Sequence, residues 1–230
     1  MTTITNSEPH DAGDFFAEVA QAVEHVHTAH PEFRDLRREH PWLTGSLGDP
    51  FAGVWFVAEI PSLGPVVGGG SRPSRETQWT GNNAAILLRE MLVRNGFKTG
   101  AVRDYGGWNS YLTDVMKHAE PAEQWKKKSK RDKLAVAHSW APVLMRELEI
   151  APPVLVVSLG GNVDAYLDAL IESRLIPKPA HRMKIHHYSY VAKRAGRLNG
   201  QWLGPMHPLR VADYDRQFQD VARTVSSLRR

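Results

Sequence analysis

A single carboxylate, Glu59, follows the apolar run Val54-Trp55-Phe56-Val57-Ala58 and is followed at once by Ile60-Pro61 and a Gly/Pro-rich segment. Such a run reads as a buried strand, and an open α/β sheet binds ligands outside the carboxyl ends of its strands. The acid therefore stands where chemistry is done, although a carboxylate that caps loop amides leaves the same signature. Three further strand ends carry polar groups: Thr113-Asp114, Ser158-Leu159-Gly160 and His187-Tyr188-Ser189. A carboxylate, a hydrogen-bonding pair and a histidine facing one crevice suit general acid–base work, or stabilisation of a leaving anion. Each also has a plainer reading: a strand-end histidine is often structural, and Asp114 is equally able to cap a turn.

These groups need a scaffold. Asp14 to His27 places Phe15, Val19, Ala22, Val23 and Val26 on one helical face. Gly53–Ala58 is the first strand. Pro61 to Thr80 is too broken by Gly and Pro for regular structure, and connectors of that length are usually functional or mobile. Asn82 to Asn95 reads as a helix with Ile86, Leu87, Met91 and Leu92 inward and Gly96 as its C-cap. Ser110–Val115 is a short strand and Lys130 to Leu148 a helix. Val154–Leu159 is a continuous apolar run, the signature of a strand covered on both faces. Gly160-Gly161-Asn162 turns it into helix Val163–Glu172. Met183 to His187 is a fourth strand, and Tyr214 to Leu228 closes the chain as a helix. The alternation predicts an α/β fold, a three-layer α/β/α sandwich with a central, mainly parallel four-stranded sheet, as one domain over 1–230. Successive strand residues face opposite ways, so only one of His186 and His187 faces a given pocket.

Composition removes several classes of chemistry. The 230 residues include no cysteine, which excludes disulfides, iron–sulfur clusters and cysteine-ligated zinc. Met1-Thr2-Thr3-Ile4-Thr5 lacks the basic and apolar regions of a secretory signal, and no apolar run approaches the roughly 20 residues that span a bilayer. The expectation is a soluble cytoplasmic protein. His27 and His30 share a helical face, but no carboxylate-rich motif accompanies them, so no metal is expected. Neither a serine nucleophile elbow nor a cysteine nucleophile is present. Gly68-Gly69-Gly70-Ser71 lacks the Lys-Ser/Thr of a phosphate-binding P-loop and reads as a lid segment. Leu159-Gly160-Gly161-Asn162 is either an anion site at a helix start or a tight turn.

The net charge is +4 and the pI near 9.4. Between Lys126 and Lys133 six of eight residues are Lys or Arg, and Arg182, Lys184, Lys193, Arg194 and Arg197 form a second basic stretch. Such stretches are solvated helix faces or, close to strand ends, a phosphate-binding rim.

The order of these motifs resembles the uracil-DNA glycosylase superfamily, nearest to its iron–sulfur-bearing bacterial and archaeal branch. Ala58-Glu59-Ile60-Pro61-Ser62 is similar to the branch's Gly-Glu-Ala-Pro-Gly. Gln78-Trp79-Thr80-Gly81-Asn82-Asn83-Ala84-Ala85-Ile86-Leu87 resembles Pro-Phe-Val-Gly-Arg-Ala-Gly-x-Leu-Leu. Tyr111-Leu112-Thr113-Asp114-Val115-Met116-Lys117 resembles Tyr-Ile-Thr-Asn-Val-Val-Lys. Leu159-Gly160-Gly161-Asn162-Val163 and His187-Tyr188-Ser189-Tyr190 resemble Leu-Gly-x-x-Ala and His-Pro-Ser-Tyr. The likeness runs from about Gly53 to the C-terminus and leaves residues 1–50, an N-terminal helical extension, uncovered.

The resemblance implies a monofunctional, cofactor-free and metal-free glycosylase of DNA base-excision repair. Its partner would be uracil-containing DNA, and the protein a nucleoid-associated monomer. Such an enzyme extracts a base from the stack and reads it in a closed pocket. Glu59 and His187 would be catalytic: Glu59 managing water and the sugar's positive charge, His187 holding the base's O2, with His186 packed under a helix. Trp79 would stack on the base, with Ile60, Asn82 and Asn83 lining the pocket beside Asp114. Ser189, Tyr190, Val191, Lys193, Arg194 and Arg197 would meet the DNA, Tyr190 and Val191 as the wedge and the basic residues on phosphates. Two departures stand out. The branch's four cluster cysteines are absent, and Asp114 replaces a base-reading asparagine whose amide accepts from uracil N3–H and donates to O4. An ionised Asp114 would oppose O4. Either Asp114 is protonated, or Asn82, Asn83 or Asn109 reads O4, or the base is another, such as cytosine. A non-catalytic nucleic-acid-binding module on this fold, and a hydrolase of free nucleosides, stay open as alternatives.

Overall fold

The computed structural model describes residues 12–33, 46–61, 83–104, 106–118 and 120–229. Five strands form the central sheet: β1 (Ser46–Gly48), β2 (Val54–Ala58), β3 (Tyr111–Asp114), β4 (Leu155–Leu159) and β5 (Arg182–Ile185). Their order is β1-β3-β2-β4-β5, with β1 antiparallel at one edge and the other four parallel. The expected four parallel strands are present. The fifth, Ser46–Gly48, is a short polar and glycine-ended segment without the alternation that marks a strand in sequence.

Seven helices are found among the described residues: α1 (Ala12–Ala29), α2 (Asn83–Arg94), α3 (Ala122–Lys127), α4 (Lys130–Ile150), α5 (Gly161–Glu172), α6 (Tyr188–Lys193) and α7 (Pro208–Leu228). A two-stranded hairpin, β6 (Gly196–Leu198) with β7 (Gln201–Leu203), stands outside the main sheet. No helix among the described residues is long and apolar enough to cross a membrane.

The strands explain the layers. Along β2, Trp55 and Val57 enter one core with α1, α4 and α5, while Val54, Phe56 and Ala58 enter a second core with α2, α6 and α7. Leu155, Val157 and Leu159 of β4 face the second core, and Val156 the first. Side chains of alternate strand residues point to opposite faces, so an all-apolar run is the only sequence that fills both cores. The result is the expected α/β/α sandwich. Residues outside the resemblance are built into it: Phe15, Val19, Val23 and Val26 of α1 are buried in the first core, and β1 closes one edge of the sheet.

Local signals fix the helix ends. Ser129 caps α4 in a capping box: its hydroxyl accepts from the Asp132 amide at 3.1 Å, and the Asp132 carboxylate accepts from the Ser129 amide at 3.4 Å. Gly96, at φ 78°, ends α2 in the left-handed conformation that favours glycine.

Candidate active site

The carboxyl ends of β2 and β3 lie side by side. Ala58 and Asp114 are register partners, and the pairing continues past the ladder, with Val115 N–H donating to Ala58 C=O at 2.9 Å and Met116 N–H to Glu59 C=O at 3.2 Å. The Glu59 backbone is thereby pinned although it lies outside a strand. Its side chain accepts a hydrogen bond from the Tyr166 hydroxyl, 2.9 Å from Oε1. Burial and the negative charge of Glu59 raise the Tyr166 pKa, so the phenol stays a donor. Ile60 is half-buried against the first core.

Asp114 is 1% exposed, and its Oδ2 has no hydrogen-bond partner. Burial pushes its pKa up to about 8; the Lys117 ammonium opposes that rise, and the charges of Glu147 and Glu59 add to it. Below that pH the group is a neutral carboxylic acid, with one O–H to donate and one carbonyl to accept. That is the donor and acceptor pair of a carboxamide. Of the alternatives left open by the sequence, the protonated acid fits this environment. Asn109 does not serve as a substitute reader. It precedes β3, at the opposite end of that strand from Asp114, and its amide donates to Gly96 C=O at 3.0 Å.

Behind β3 lies a buried polar network. Lys117 and Glu147 form an ion pair with side chains 1% and 0% exposed, Nζ lying 2.9 Å from both carboxylate oxygens. The Tyr111 hydroxyl donates to Glu147 at 3.0 Å and the Thr113 hydroxyl at 3.1 Å, and Lys117 also bonds Thr113 Oγ1. Every polar group of the ion pair is thus engaged, as burial of charge requires. The network ties the end of β3 to α4 and so fixes the strand that carries Asp114.

His187 differs from its expected setting. Strand β5 ends at Ile185, and His187 is the N-cap of α6. The strand-alternation rule for His186 and His187 therefore does not operate. His186 is exposed rather than under a helix, with its amide donating to Gln217 Oε1 at 2.7 Å. The His187 Nδ1 accepts from the Ser189 amide at 3.2 Å and lies 2.7 Å from the Ser189 hydroxyl. An Nδ1 that accepts an N–H carries no proton, so the neutral ring holds its proton on Nε2. Burial, and then the charges of Lys193 and Arg194, push the His187 pKa down to about 4. The ring is a neutral Nε2 donor at physiological pH.

Gly160 allows this histidine to sit against the end of β4. At φ 100°, a Cβ there would lie 3.1 Å from the His187 Cβ, so both backbone and space call for glycine. Gly160 is the N-cap of α5, and its amide donates to Ile185 C=O at 2.9 Å. Tyr188 stacks on His187 with ring centroids 4.1 Å apart, and the Asp114 charge contributes to the raised pKa of Tyr188. Glu59, Asp114 and His187 thus stand at or just past the carboxyl ends of β2, β3 and β5.

The basic residues divide. Arg182 bonds Asp164 and Asp168, each at 2.7 Å, and Lys184 approaches Asp164 at 3.4 Å, so these two cations serve the fold. Lys126 pairs with Glu123 and Lys128 with Glu120. Lys193, Arg194 and Arg197 are exposed, with no acidic partner among the described residues. Val191 is 1% exposed and sits in the second core, and half-buried Tyr190 lies under the Arg210 guanidinium at 4.8 Å. Neither projects as a wedge. Ser189 is occupied with His187.

Trp79 and Asn82 lie outside the described residues, as do the Gly68–Ser71 segment and the Asn83 side chain; Asn83 opens α2. His27 Nδ1 lies 3.2 Å from Phe33 O and His30 bonds Glu32, and among the described residues no group of His, Asp and Glu is placed to hold a metal ion. The sequence carries no mark of Tyr166 and Glu147, which bond Glu59 and the polar side chains of β3. Each is one polar residue on an amphipathic helix, and only the packing of α5 and α4 on the sheet brings them to the strand ends.

No protein-family model matches the chain, and no curated protein matches it.

Proposed function

We propose that the protein hydrolyses the N-glycosidic bond of uracil, or a related deaminated base, in DNA. The observation that carries the reading is the buried Asp114 carboxyl, with an unpartnered oxygen, at the edge it shares with Glu59. Leaving a buried polar atom unpaired costs about 1–3 kcal/mol, which a ligand that pairs with it recovers. Neutral Asp114 complements the uracil edge: its carbonyl oxygen accepts from N3–H and its O–H donates to O4.

In the reaction the bond between C1′ and N1 breaks and its electron pair leaves with the base, its charge spread towards O2. His187 donates from Nε2 to O2 as that charge develops; one preorganised donor of this kind is typically worth about 2.7–4 kcal/mol. Glu59, held by Tyr166, offsets the positive charge on the sugar and takes a proton from the water whose oxygen bonds to C1′. The products are the free base and an abasic site. Neutral His187 suits this step because it is a donor that brings no full charge into an apolar site.

The test is incubation of the purified chain with oligonucleotides containing uracil, hypoxanthine or xanthine, and with undamaged ones, followed by alkaline strand scission. Scission confined to a deaminated substrate supports the reading. Absence of scission on all of them removes the enzymatic claim.

A further inference from the structure

Between Glu172 and Asp213 the chain has no Asp or Glu, yet it has eight Lys or Arg. Of those eight, Arg182 and Lys184 are paired to α5, while Lys193, Arg194 and Arg197 are exposed around the hairpin β6–β7. The hairpin also carries Trp202, 67% exposed, the most exposed large apolar side chain among the described residues. Trp202 and Arg197 are cross-strand register partners, so they share one face of the hairpin.

The hairpin is held, not loose. Asn199 and Gly200, at φ 49° and 81°, make the two-residue turn with positive φ that suits a right-twisted ribbon. At its base, Arg210 is 4% exposed and donates to the carbonyls of Tyr190 at 2.7 Å and Gly204 at 3.2 Å, and to that of Arg194. The Met206 amide donates to Val191 C=O at 3.0 Å. A Cβ at Gly196 would press on the Tyr190 hydroxyl, which packs directly against the hairpin. The hairpin is therefore fastened to α6, the helix that His187 caps. A fixed indole on a hairpin whose cations have no acidic partner among the described residues presents a flat apolar surface to an anionic partner with flat apolar groups.

We propose that hairpin β6–β7 is a platform for single-stranded nucleic acid, with a base stacked on Trp202 and Arg197, Arg194 and Lys193 on its phosphates. A strand that is already single offers the face of its bases to an indole; in a duplex those faces are covered by their neighbours. The proposal rests on the nucleic-acid partner of the reading above and adds the state of the strand.

The experiment measures binding of the full chain, and of its Trp202→Ala, Trp202→Phe and Arg197→Ala variants, to a fluorescent single-stranded oligonucleotide and to the matching duplex across a salt series. Melting temperature and sedimentation serve as controls. Stacking on an aromatic contributes about 1–3 kcal/mol per base, so Trp202→Ala weakens single-strand binding roughly 5- to 150-fold, and Trp202→Phe much less. Loss of one phosphate contact lowers the salt slope by about 0.7. Wild-type affinity in Trp202→Ala overturns the hairpin proposal and leaves the glycosylase reading standing. Failure of the wild type to bind any oligonucleotide overturns both. A fall in sedimentation coefficient on Trp202→Ala assigns the surface to a second copy of the chain and overturns the proposal.

Discussion

Ala58 and Asp114 are register partners at the ends of adjacent parallel strands, so Asp114 sits beside the residue that leads directly into Glu59. Alternation along β3 sends Tyr111 and Thr113 towards Glu147 on α4, and Leu112 and Asp114 to the other face. Glu59 meets Tyr166 of α5 in the first layer. The two carboxyl groups thus flank the crest of the sheet from opposite faces, Glu59 bonded by Tyr166 and Asp114 driven towards neutrality by burial.

For the proposed reaction, that contrast sets an upper pH limit. Asp114 is protonated below about 8 and loses its donor above it. The expected outcome is that uracil excision by the wild type falls as pH rises through that value. Asp114→Asn, which keeps donor and acceptor without a titrating proton, retains excision and loses the alkaline fall. Single-turnover rates of both proteins between pH 6 and roughly 10 check this.

The same group sets a stability trend. Its folded pKa is raised from 3.8 to about 8, so the folded state binds the proton more tightly than the unfolded state does. Its contribution to stability is greatest below pH 3.8 and is lost as pH rises towards 8. Asp114→Asn is therefore more stable than the wild type at neutral and alkaline pH, with the gap closing towards pH 4. Urea unfolding at several pH values reads the gap.

His118 acts in the opposite direction. It lies against the rings of Phe33, at 4.7 Å, and Trp140, at 5.7 Å, which also meet each other, and burial, with the charges of Lys128 and His27, pushes its pKa from 6.5 down to about 4. Its neutral form is the folded one. Stability is fully present above pH 6.5 and is lost as pH falls towards 4, by up to about 3 kcal/mol. His118→Phe preserves the stack and flattens that acid limb in thermal unfolding, leaving the part due to His187.

Much of this framework was legible as pattern. The all-apolar β2, and β4 with Ser158 as its one polar residue, read as doubly covered strands because filling two cores needs apolar residues on both faces. The glycine after α2 is short-range chemistry. What escaped had no local signature. The three-residue β1 is recruited by β3, and the six-residue α6 follows so closely on β5 that His187 read as part of the strand. Glu59 and Asp114 stand at strand ends as their sequence context predicts, whereas His187 caps a helix. Tyr166, Glu147 and the protonation of Asp114 are properties of packing, which bring distant helices to those ends and remove water from them.

The buried ion pair offers a mutational check on that packing. Lys117→Met leaves the Glu147 carboxylate buried without its counter-charge, which costs about 3–5 kcal/mol in denaturant unfolding. Adding Glu147→Leu to that variant recovers much of the loss, because two apolar side chains replace two charges. A Lys117→Met effect below about 1 kcal/mol would contradict the network described.

The most direct measurement is single-turnover release of uracil from a single-stranded oligonucleotide by the wild type, Glu59→Gln and Asp114→Asn between pH 6 and roughly 10. The account predicts wild-type release that is steady to about pH 8 and falls above it. It predicts release at least 100-fold slower in Glu59→Gln, about what positioned acid–base catalysis contributes, and Asp114→Asn active without the alkaline fall. No uracil release by the wild type at any pH, or release unaffected by Glu59→Gln, would contradict it.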